Sequence, residues 1–333
     1  MASKKFFLDG FTLSLISTVV LASFFPVPGE LVAPFSLITN IAVGLLFFLH
    51  GAKLSREAIV AGATHWRLHL TVLLCTFVLF PLLGVLLRPI LSPLVTAQLY
   101  AGVLFLCTLP STVQSSIAFT SIARGNVPAA VCSASASSLL GIFITPALVG
   151  LLLTNHSGGN VSPWHTVSNI VMQLLLPFIA GQLLRPIVGG WVDRNRSMLK
   201  FVDQGSILLV VYGAFSEALM EGLWHQIPLR ALFGLFVVCA AILSISLLAT
   251  VLASKRLGFN REDQITIIFC GSKKSLAAGI PMANVIFSAS SIGAIVLPLM
   301  LFHQIQLMVC SALAQRWAIR RTVPKQHTAR KAA

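Results

Sequence analysis

Charge is scarce along this chain. Asp, Glu, Lys and Arg make up only 10% of its 333 residues, whereas soluble domains carry about 25%. Acid is scarcest of all, with nine Asp and Glu against 23 Lys and Arg. Long polar segments are absent too, which argues against a separate soluble domain. The six cysteines stand singly inside apolar runs, with no Cys-x-x-Cys or Cys/His spacing, so no metal or disulfide framework is expected. Paired carboxylates, an HExxH helix and a nucleophile elbow are also missing. These absences argue against an enzyme and against a cofactor.

What the chain has is apolar length. It is 56% hydrophobic, with a mean hydropathy of +0.91, the composition of a polytopic membrane protein. A helix needs about 20 apolar residues to cross a bilayer. Ten spans are predicted, over 11–26, 34–51, 68–87, 97–123, 127–153, 165–187, 202–222, 229–253, 264–288 and 291–316. With the N-terminus inside, nineteen of the 23 Lys and Arg fall in inside segments and two, Arg88 and Arg230, fall outside. That split is a positive-inside signal and places both termini in the cytoplasm. It accounts for the net charge of +14 without a nucleic acid partner; the cationic excess meets the lipid bilayer instead. Residues 317–333 read as a basic cytoplasmic tail.

The longest outside segment, 154–166, divides the chain into five spans plus five, 1–153 and 165–316. An odd number reverses the second half, which is the geometry of an inverted repeat. The fourth span carries Pro110 and then "STVQSS"; the ninth carries Gly271, "SKKS", Gly279 and Pro281. "QSSIA" (114–118) and "KKSLA" (273–277) occupy matching places. Helices interrupted at matching places point to a transporter's binding site, because opened backbone at membrane depth must face protein or water. Two adjacent lysines at such a depth, each costing about 2.5–3.5 kcal/mol on insertion scales, sharpen that reading. Neighbours on a helix lie about 100° apart, so Lys273 and Lys274 are expected to point different ways. The predicted cavity is lined by Ser111, Thr112, Gln114, Ser115 and Ser116 with Ser272, Lys273, Lys274 and Ser275. Ser133 and Ser137, Asn284, and His303 and Gln304 complete it. For the serines of 133–138, close helix packing is an equal alternative. For His303, Gln304 and Gln306 the alternative is an interhelical hydrogen bond.

The stretches "LLFFLHGAKLSREAI" (45–59), "LPSTVQSSIAFTSIARGNVPAAVCSASASSLLGIF" (109–143), "FCGSKKSLAAGIPMAN" (269–284) and "VLPLMLFHQIQLMVC" (296–310) resemble the bile acid:sodium symporter family, in its YfeH-type bacterial subgroup. The resemblance implies ten transmembrane helices in two inverted five-helix repeats. Helices one, two, six and seven would form a panel, the rest a core, with helices four and nine unwound where they cross. It implies a secondary transporter of a small organic anion in the bacterial inner membrane. A non-transporting regulator or receptor linked to calcium homeostasis is the alternative. The family's sodium-ligand positions fall on Ser116, Ile117, Ala130, Ala134, Phe269 and Lys273, where Ser116 alone keeps an oxygen suited to a hard cation. A proton is therefore expected as coupling ion in preference to sodium. Lys273, in a ligand's place, is expected to be a tethered cation among carbonyls, an anion-binding charge or a proton carrier, with Lys274 packed into the core.

Overall fold

A computed structural model of the chain describes residues 10–53, 65–153, 172, 176–220 and 228–320. Those residues fold almost wholly as helix, and no strand occurs among them. In chain order the helices are α1 (Gly10–Phe24) and α2 (Val32–Lys53). Next come α3 (Trp66–Leu74), a π-helical turn (Cys75–Leu79), α4 (Phe80–Leu86) and the short α5 (Arg88–Leu91). They are followed by α6 (Ala97–Thr108), α7 (Val113–Ile122) and α8 (Val127–Leu153). The second half has α9 (Leu176–Arg194), α10 (Arg196–Met220) and α11 (Leu229–Arg256). It ends with α12 (Arg261–Gly271), α13 (Leu276–Ile286) and α14 (Ala289–Arg320).

Among the described residues, six stretches are long and apolar enough to cross a membrane, seven if α6 and α7, bent by 64°, count as one span. Their outer faces carry bare hydrophobes such as Ile187, 79% exposed, and Leu229, 82% exposed, as lipid-facing helices do. Some expected limits shift. The helix expected at 202–222 already starts at Arg196, and the one expected to end at 316 continues to Arg320. That last turn is held because Trp317 packs on Phe269, with centroids 5.4 Å apart, and under the Arg261 guanidinium. The 154–166 loop and most of the expected 165–175 segment lie outside the described residues, as do residues 321–333.

The helices sort into two groups. In one, α2 lies along α9, and α1 and α2 pack on α10. The α2–α9 contact is set by two glycines facing opposite backbones. A Cβ on Gly51 would sit 2.1 Å from the Phe178 carbonyl oxygen, and one on Gly181 would sit 2.0 Å from that of Phe48. Small residues let membrane helices approach this closely. Lys53 and Asp203, 2.5 Å apart, tie α2 to α10 at one end. The second group holds α3–α4, α6–α8 and α11–α14. The two groups meet where α10 packs on α13 and α14 and where Asn284 of α13 bonds Asn40 of α2 at 3.2 Å.

Within the second group, α6 stops at Thr108 and α7 starts at Val113; α12 stops at Gly271 and α13 starts at Leu276. Pro110 has no N–H to extend α6, and Gly271-Ser272 is a poor helix continuation. The two breaks touch directly, the Ser275 N–H donating to the Pro110 carbonyl at 2.9 Å. The α7–α8 turn has Arg124 in the left-handed region (φ 58°). Its neighbour Gly125 is needed for room: a Cβ there would lie 2.6 Å from the Ile265 side chain.

Candidate functional site: two crossed helix breaks and a lysine pair

A helix end leaves carbonyls and N–H groups without intrahelical partners, and in hydrocarbon each must find another. At this crossing each break serves the other. Carbonyls at the end of α12 and in the break after it accept from hydroxyls of the α6–α7 break and of α7. Ser111 Oγ donates to the Cys270 carbonyl at 2.6 Å, Ser116 Oγ to that of Phe269 at 3.0 Å, and Thr112 Oγ1 to that of Lys274 at 2.7 Å. Helix α8 lends support, since the Ser111 N–H donates to Ser137 Oγ at 3.0 Å and Thr145 Oγ1 donates to the Thr108 carbonyl at 2.8 Å.

The other direction uses an ammonium. Lys274 is fully buried. Its Nζ donates to the carbonyls of Thr76, Cys107 and Leu109 at 2.7, 2.9 and 2.7 Å. An ammonium has three donors, and here all three are used. The negative end of the α6 dipole favours a cation at this place. The Phe80 ring, its centroid 4.2 Å from Nζ, closes another side. The expectation that Lys273 would sit among carbonyls is therefore corrected: the carbonyl cage belongs to Lys274. Lys273, next to it in the non-helical break, meets a different wall.

That wall is sparse. Lys273 is also fully buried, and its Nζ lies 3.3 Å from Ser115 Oγ, its one hydrogen-bond acceptor among the described residues. Otherwise it faces aromatic rings, Phe119 at 3.9 Å and Phe269 at 5.7 Å from their centroids. No carboxylate pairs with either lysine among the described residues.

Gln306, on α14, brackets the backbone of Lys274. Its Oε1 accepts from the Lys274 N–H at 3.0 Å, and its Nε2 donates to the Lys274 carbonyl at 2.9 Å. A backbone N–H can only donate, which fixes the amide's orientation. Nε2, 2.9 Å from His303 Nδ1, must then donate there, leaving the His303 proton on Nε2.

The remaining candidates divide. Ser272 Oγ turns back to the Ile268 carbonyl of its own helix, 2.6 Å away, and Ser275 caps α13 by accepting from the Ala278 N–H at 3.2 Å. Gln114 is exposed on the first turn of α7, and Gln304 is half-buried on α14. Ser133 pairs with His69 of α3 at 2.7 Å, the helix-packing alternative, and Asn284, near the far end of α13, bonds Asn40 of α2 at 3.2 Å. Thr76, whose carbonyl accepts from Lys274 Nζ, and Pro81 near it stand outside the stretches that the sequence pattern singles out. The sodium-ligand positions of the resemblance are packed. Ile117 and Ala130 share one apolar cluster and Phe269 lies in another, and Ala134 is wholly buried. A cavity of about 570 Å³ does open elsewhere, between the first turns of α6 and α14 and the ends of α8 and α13, with Arg88, Gln98, Tyr100 and Phe287 in its wall. It does not reach the lysines, whose chamber is closed in this conformation.

Residues 9–319, nearly the whole chain, match the SBF-like CPA transporter family. The chain belongs to that family. An uncharacterized protein of Pseudomonas aeruginosa is 63% identical over 321 residues, 96% of each chain. The Escherichia coli K12 protein named "Putative symporter YfeH" is 58% identical over 310 residues, 93% of each chain. Mouse sodium/bile acid cotransporter 7 is 28% identical over 326 residues, 96% of this chain and 95% of its own. With its apolar helices, this member of the SBF-like family is a multi-pass membrane protein of transporter kin.

Proposed function

We propose that this protein is a secondary transporter that moves a small organic anion by alternating access, without the sodium sites of the bile acid symporters. The observation that carries the reading is Lys273. Its charge is taken out of water and given one hydroxyl and two ring faces, an environment that leaves most of its hydrogen-bonding capacity unused. Ionisable groups within the membrane are rare and mark substrate and ion pathways. Lys273 Nζ also stands beside Ser115, in the first turn of α7, where unpaired N–H groups carry positive partial charge. Two like charges brought together favour an anion between them. In the same reading the chain has ten spans in two inverted five-helix halves, 1–153 and 165–316. The α6–α7 and α12–α13 pairs are its discontinuous spans. It lies in the bacterial inner membrane with both termini in the cytoplasm.

A thermal-shift screen of small organic anions on the purified parent and on Lys273→Gln tests this. Anions that bind the folded parent raise its stability in proportion to ln(1 + [L]/Kd), and the same anions leave Lys273→Gln unmoved. Equal shifts in both proteins would remove Lys273 from the site. No shift with any anion, and no uptake into vesicles, would remove the anion reading itself.

A further inference from the structure

The cage around Lys274 is built from carbonyls that were set free for three separate reasons. In the π-helical turn the Phe80 N–H is taken by the Cys75 carbonyl. The next bond in that register would need an N–H on residue 81, which is Pro81, so the Thr76 carbonyl has no backbone partner. Cys107 would look to the N–H of Ser111, but that donor has gone to Ser137. Leu109 lies in the break itself. The neighbouring carbonyls, Leu106 and Thr108, are satisfied by the Leu109 N–H at 3.3 Å and by Thr145. The three that remain converge on one point, with the Phe80 ring beside it. Three carbonyl oxygens and an aromatic face make up the inner shell of a desolvated monovalent cation.

We infer that Lys274 fills a monovalent-cation site with a covalently attached ion. The ammonium neutralises the exposed helix-end dipoles of α6 and the π turn, as a bound metal ion or ammonium would. The chain therefore takes up no free cation there. Shortening the side chain opens a binding site for an alkylammonium ion. This goes beyond the anion reading and stands if that reading fails, because its test needs no substrate.

The test is thermal unfolding of the full chain in detergent. Lys274→Ala removes three carbons and the nitrogen, the atoms of n-propylammonium. In the variant, n-propylammonium is expected to raise the unfolding temperature saturably towards that of the parent, while n-propanol and choline at equal ionic strength do nothing. The parent, its cage full, is expected to show no difference between sodium, potassium and choline. Lys274→Met keeps the volume and drops the charge; it is expected to unfold below the parent and to ignore propylammonium. Three results would each overturn the inference. One is a saturable sodium-specific stabilisation of the parent, which is readable even if Lys274→Ala does not fold. Another is a Lys274→Met protein as stable as the parent. The third is a folded Lys274→Ala protein indifferent to every cation.

Discussion

Lys273 and Lys274 are covalent neighbours of one residue type, and their surroundings give them opposite consequences for stability. Removing Lys274 leaves three buried carbonyls without donors. Each buried unsatisfied polar group costs about 1–3 kcal/mol, so Lys274→Ala should lower unfolding stability by at least about 3 kcal/mol. Removing Lys273 forfeits one long hydroxyl contact and a cation–π attraction of about 0.5–2 kcal/mol, and it also relieves the burial of a charge. Lys273→Ala should therefore unfold within about 1 kcal/mol of the parent while losing anion binding. Denaturant titration of both variants in detergent gives the order, and the reverse order would contradict the assignment of the cage. The sequence sets two adjacent lysines inside an otherwise apolar stretch. It does not say which one meets carbonyls, because that depends on the Thr76 carbonyl, which lies 198 positions away from Lys274. A signal was available in "CTFVLFP" (75–81), where a proline inside a span frees a carbonyl one turn earlier. Which lysine points at that carbonyl is a tertiary fact.

At the scale of elements, the breaks were legible from Pro110 and from the Gly and Ser around the lysines, since these residues interrupt a helix wherever they fall. The exchange of partners between the breaks was not, because a hydroxyl such as Ser111 bonds its own helix as readily as another's. The panel-like group depends on closer packing. Gly51 and Gly181 let α2 and α9 touch backbone to backbone, and no side chain can yield where the obstacle is a carbonyl. Gly51→Ala or Gly181→Ala should push the helices apart, at about 1–3 kcal/mol or more for overpacking. Gly44→Ala is the control on α2, since its nearest neighbour would be the Pro177 ring at 4.0 Å, and it should unfold like the parent. If all three variants melt together, the α2–α9 contact does not govern stability.

At the scale of the molecule, the two helix groups meet through α13 and α14, and Asn40–Asn284 sits on that seam. A carrier that alternates must open it. With Asn40→Cys and Asn284→Cys in one chain, a short thiosulfonate cross-linker should stop transport in vesicles, and reductant should restore it. Undiminished transport with the link in place would mean that the groups do not part at this end. The charge of Lys274 adds a further consequence. A free coupling ion is released on the far side at every cycle, but an ion that belongs to the chain returns with it. In the carrier proposed above, any displacement of α12 and α13 along the membrane normal therefore moves positive charge through the field, which does work of about 2.3 kcal/mol per elementary charge per 100 mV. The membrane potential, negative inside, would draw the unloaded protein towards its cytoplasmic-facing form. An anion on Lys273 would cancel part of that pull, so the empty protein should show a gating-like charge movement that shrinks as substrate binds.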